Sequence, residues 1–102
     1  MTGSAENAAE RAQRELERVV RRWQQLPLGH ALAASEVARH TVQRLADEVA
    51  AAETRRPEQP VPDLGPAVLM DQLAVVVYDH QEAGLSARHR AEALTTLRRS
   101  LP

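Results

Sequence analysis

Residues 4–26 read SAENAAERAQRELERVVRRWQQL, and the spacing inside this stretch decides the fold class. Its apolar positions are Ala5, Ala9, Ala12, Leu16, Val19, Trp23 and Leu26, separated by steps of 4, 3, 4, 3, 4 and 3. An α-helix turns by about 100° per residue, so this rhythm gathers the apolar side chains into one narrow seam. On the other faces Glu10 precedes Arg14 and Glu17 precedes Arg21 by one turn, the favourable order for helical ion pairs. Pro27 and Gly29 end the pattern.

The same rhythm resumes downstream. Ala34, Ala38, Val42, Leu45, Val49 and Ala52 form the seam of a second helix, expected at about residues 31–56. Arg55 and Arg56 sit at its end, where the helix dipole favours cations. The short link through Leu28 and Gly29 predicts an antiparallel hairpin of the first two helices. Residues 57–62, PEQPVP, make a stiff connector. Asp63 is the expected N-cap of a third helix at 64–83, with Pro66 in its first turn and Gly84 as its C′ residue. Within that helix the run LAVVVY at 73–78 also reads as a buried strand. No other segment offers a partner, and a lone strand would leave its backbone groups unpaired, so helix is the better reading. Ser86 caps a fourth helix at 87–100, whose seam is Ala87, Ala91, Leu94, Leu97 and Leu101.

The expected fold is therefore all-α. A long antiparallel helical hairpin is followed by a shorter helical pair, in one domain over residues 1–102. Its core is aliphatic and small, because there is no Ile or Phe and the aromatics are Trp23 and Tyr78.

Composition excludes several functions. Thirteen arginines against fourteen acids give a net charge of −1, which suits neither a nucleic-acid binder nor a membrane-surface protein. The apolar runs at 67–70 and 73–78 are too short to span a bilayer. The opening MTGS leads into charged helix without an apolar run, so a cytoplasmic protein is expected. With no cysteine there is neither a disulfide framework nor a thiolate ligand. Charge is nevertheless segregated: residues 57–83 hold five acids and no Arg, while 84–102 hold four Arg and one Glu. The last two helices should attract each other.

The candidates for chemistry are His30, His40, His80 and His89. Neither Glu-x-x-His nor His-x-x-x-His occurs, so neither a metal site nor another cofactor is expected. Ser4, Ser35, Ser86 and Ser100 lie at helix ends, no Gly-x-Ser-x-Gly elbow exists, and the four glycines are isolated. No catalytic residue is expected. His80 falls on the apolar arc of the third helix and reads as a core-edge histidine donating to a carbonyl or carboxylate. Arg90, at the edge of the fourth seam, needs a partner, and Asp79 or Glu82 across the short turn are the expected ones.

Two further patterns bear on function. Gly84-Leu85-Ser86 resembles the turn of a helix-turn-helix, with Arg88, His89 and Arg90 opening the second helix. His80 four residues before the Gly, Arg90 six after it, and the acidic third helix all depart from that motif. Trp23 and the Tyr78-x-x-x-Glu82 spacing are similar to features of the helical-hairpin substrates of type VII secretion. That family's Trp-x-Gly turn is missing here, since Gln24 and Gln25 follow Trp23. The reading that remains is a non-enzymatic, self-associating interaction or scaffold protein, with DNA binding through the 84–86 turn as the alternative. The third helix is apolar over more than half its circumference and needs several neighbours. The expected dimer interface is Leu16, Val19, Trp23, Val68 and Val75.

Overall fold

The structure, a computed structural model, describes residues 3–53 and 59–102, with the side chains of residues 3–6 excepted. Ala5 of the first seam, the Arg55–Arg56 pair, and Pro57 and Glu58 of the connector thus lie outside the description. Among the described residues four helices are formed: α1 (Gly3–Gln25), α2 (Leu28–Ala52), α3 (Pro66–Glu82) and α4 (Ala87–Ser100). The all-α, four-helix architecture is the expected one.

The helix ends follow local chemistry. Pro27 adopts φ −57° and ψ 150°, which stops α1 and lets α2 begin at once, three residues before Ala31. Its carbonyl accepts from His30 and Ala31, so Gly29 lies inside the first turn of α2. The N-cap of α3 is Gly65, not Asp63. At φ +91° Gly65 occupies backbone space that a side chain disfavours, and Asp63 supports it by accepting from its N–H at 3.1 Å. At the other end of α3, Leu85 donates to the His80 carbonyl and Gly84, at φ +73°, to that of Gln81. This is a Schellman closure, and the Ser86 hydroxyl then accepts from His89 N–H to cap α4.

The helices expected to pair, α1 with α2 and α3 with α4, are not the ones that pack. α1 lies mainly on α4 and α2 mainly on α3, while α4 also meets α2. α1 and α2 hardly touch, so the expected side-by-side packing of the hairpin gives way to two open pairs that face one another. The thickness of 16 Å, beside extents of 43 and 32 Å, accommodates two helix layers at a spacing of about 8–10 Å. The reason lies in the seams. A narrow heptad stripe can be covered once, and the Ala12–Leu16–Val19–Trp23 stripe and the Ala34–Ala38–Val42–Leu45 stripe both face the layer interface. There they join Leu69, Leu73, Val77, Ala91, Leu94 and Leu97 in one core. Buried Glu15 ties α1 to α4 by accepting from Arg98 Nε at 2.6 Å, and Trp23 Nε1 donates to the Pro66 carbonyl at 3.1 Å.

Candidate functional site

Two regions depart from ordinary core and surface, one inside the molecule and one outside. The inner one begins with Arg90. Its side chain is 2% exposed, and it reaches neither Asp79 nor Glu82, which both face solvent. The expected ion pair is replaced by two contacts: Arg90 Nη1 donates to His80 Nδ1 at 2.9 Å and to the Leu85 carbonyl at 3.4 Å. Burial won over proximity in sequence, because the Schellman turn aims residue 90 under α3 while residues 79 and 82 point away.

That contact fixes the state of His80. A guanidinium has only donors, so Nδ1 must accept, and a neutral imidazole then carries its proton on Nε2. Nε2 lies 2.9 Å from Glu48 Oε1 and donates to it. His80, 1% exposed, is thus the carboxylate-bound core histidine that its helical position predicts. The other oxygen, Oε2, accepts from His89 Nε2 at 2.9 Å, and Arg44 Nε stands 3.5 Å from it. Glu48 on α2 therefore gathers one histidine from α3 and one from α4. Burial pushes its carboxyl up, but the hydrogen bonds from His80 and His89 outweigh this and hold it below the ordinary value. Burial draws His80 down, further than its bond to Glu48 raises it, with Arg90 adding to the fall. Burial also lowers Arg90, whose Nε has no hydrogen-bond partner.

Chemically the cluster is a relay of donors ending on one carboxylate. Among the described residues no group of three ligating side chains is arranged to hold a metal ion. Glu48 and Arg44 escaped the sequence reading, since Glu48 only flanks the α2 seam. The one signal was Arg90 itself, a cation inside an apolar stripe.

The outer region joins α1 and α3. Of the expected interface residues, Leu16, Val19 and Trp23 are buried in the chain's own core beneath the facing helices. They are not free for a partner. Val68 is half-buried and Val75 is 59% exposed. Beside Val75, Tyr78 is 64% exposed one turn on, and Ala74 edges a groove of about 350 Å³ whose α1 wall includes Leu16, Val20 and Arg21. Asp71, Asp79 and Glu82 are interleaved with this strip on α3. Over residues 7–25, α1 exposes Arg11, Arg14, Arg18, Arg21 and Arg22 against Glu10 and Glu17. A larger groove of about 470 Å³ runs between α2 and α4, floored by Val37, Ala93 and Leu97.

The turn at Gly84–Ser86 leads into a helix wedged between α1 and α2, with Arg90, Ala91, Ala93, Leu94 and Leu97 buried. Arg88 remains exposed. No described helix is long and apolar enough to cross a membrane. Comparison with protein-family models, with curated proteins and with solved structures finds no match.

Proposed function

We propose that this chain is a non-enzymatic helical interaction module that pairs with a second copy of itself through the α1/α3 face. One observation carries the reading: an exposed apolar strip, Ala74, Val75 and Tyr78, lies beside a groove, among the α3 acids Asp71, Asp79 and Glu82 and across from Arg14 and Arg21 of α1. The two sets of charges are complementary under a two-fold axis running along the groove. That operation lays α3 of each copy on α1 of the other, acids against arginines, in a closed isologous contact. Trp23 bound to Pro66, with Ala74 beside the middle of α1, shows that α1 and α3 run antiparallel. In the dimer the acids of α3 would then run alongside the arginines of the partner's α1.

Light scattering or sedimentation across concentration tests the proposal. We expect the mass of two chains at micromolar concentration, and Val75→Glu should weaken pairing at least ~10-fold, as for a central interface residue. A mass of one chain throughout would overturn it.

A further inference from the structure

We propose that the Glu48–His80–Arg90 chain is a proton-operated latch that holds the α3–α4 turn against α2 and releases it when His80 takes up a proton. The case is geometric. His80 is neutral because Arg90 offers it only N–H groups, and because its own N–H is used on Glu48. Protonation would place an N–H at Nδ1, facing the guanidinium N–H across 2.9 Å. Two donors and two positive charges would then oppose each other at a site 1–2% exposed. Turning the ring over is no escape, since a flipped ring would set C–H groups against Arg90 and Glu48 and lose the bond to the carboxylate.

The other charged groups around His80 do not offset this. From α2, the Glu48 carboxylate is shared with His89 and Arg44. From α4, Arg90 and His89 both act against a positive His80. On α3 itself Asp79 and Glu82 face solvent. The Glu48 carboxylate, already shared with His89 and Arg44, would alone have to hold a positive His80 against Arg90, so the joint between α2 and the turn at residues 83–86 opens first. The Schellman turn and the Ser86 cap rest on this joint through Leu85, whose carbonyl also accepts from Arg90.

The sign follows from the direction of the shift. Unfolded His80 titrates near its ordinary 6.5, and folded His80 lower. Above that value both forms are neutral and the contribution is complete. As pH falls below it the unfolded chain takes the proton first, and stability is lost until the folded value is reached. The folded-to-unfolded ratio should drop by up to about tenfold per pH unit in this window.

The experiment is urea unfolding of the full chain at several pH values between about 8 and 5, for the parent, His80→Gln and His89→Gln. Gln offers an acceptor and a donor but does not titrate. The expected result is that His80→Gln flattens the loss beginning near pH 6.5, while His89→Gln keeps it. Equal slopes in parent and His80→Gln would overturn the latch. Should His80→Gln not fold, ring ¹⁵N NMR of the parent decides. Near pH 7.5 the Nε2–H tautomer is expected, and an Nδ1–H tautomer or an imidazolium there would refute it. Protection against hydrogen exchange, relative to the intrinsic rate at each pH, should fall in acid over residues 80–90 before it falls in the Leu45 and Leu73 region, and a uniform fall would also count against it.

Discussion

A buried arginine whose partner is a histidine is an expensive arrangement, and Arg90 shows where the expense falls. Its Nε is unpartnered and its charge is held by an acceptor that carries no charge. Removing the head while keeping the volume should therefore cost little. We expect Arg90→Met to lie within about 1–2 kcal/mol of the parent, because lost donors to His80 and Leu85 are offset by relief of desolvation. Arg90→Ala leaves a cavity as well and should cost ~2–4 kcal/mol. Urea midpoints at neutral pH separate the two, and equal losses would show that the charge, not the stem, holds the joint. Arg90→Met should also lessen the acid sensitivity, since His80 would no longer face a cation. The burial of His80 was legible from its helical angle, and so was the need of Arg90 for a partner. The partner itself was not. Glu48 is 32 residues from His80 and 41 from His89, and no local pattern encodes the register of α2 against the α3–α4 turn.

At the scale of elements, helix existence was written in the 4-and-3 spacing and in Gly84 and Ser86; α2 ends at Ala52 rather than near residue 56, and the starts of α2 and α3 moved. Both starts moved for backbone reasons: Pro27 starts a helix as readily as it ends one, and Gly65 can reach a positive φ that Asp63 cannot cheaply hold. Gly29, Gly65 and Gly84 therefore give a controlled comparison, because a Cβ at any of them meets nothing within 4 Å. Any effect of alanine must come from the backbone alone. Gly29→Ala sits inside the first turn of α2 and should raise stability by roughly 0.5–1 kcal/mol. Gly65→Ala and Gly84→Ala, at φ +91° and +73°, should each lower it by ~1–2 kcal/mol. Thermal midpoints would check the opposite signs, and a common sign would mean that the turns rearrange.

For the whole molecule, the choice of neighbours was the part the sequence concealed. Short links suggest side-by-side hairpins, but each seam is one stripe wide and the broad apolar girth of α3 and α4 covers both from across the layer. Leu16, Val19 and Trp23 are consumed in doing so, which moves any surface for a partner outward to Val75 and Tyr78. Whether the acids and arginines of that face meet across a two-fold axis can be decided by exchanging charges. Arg14 and Asp79 are both exposed, so each can be altered without disturbing the core. If α3 rests on the partner's α1, Arg14→Glu and Asp79→Arg should each weaken the dimer, and the double exchange should recover a good part of the loss. An exposed pair contributes ~0–1 kcal/mol, and the symmetric dimer contains it twice, so each single exchange should raise Kd by up to about tenfold or more once repulsion is added. Raising salt should shrink all of these differences together, since they act across solvent-exposed distances. Independent, additive effects of the two exchanges would place the contact elsewhere, even if the chain still pairs.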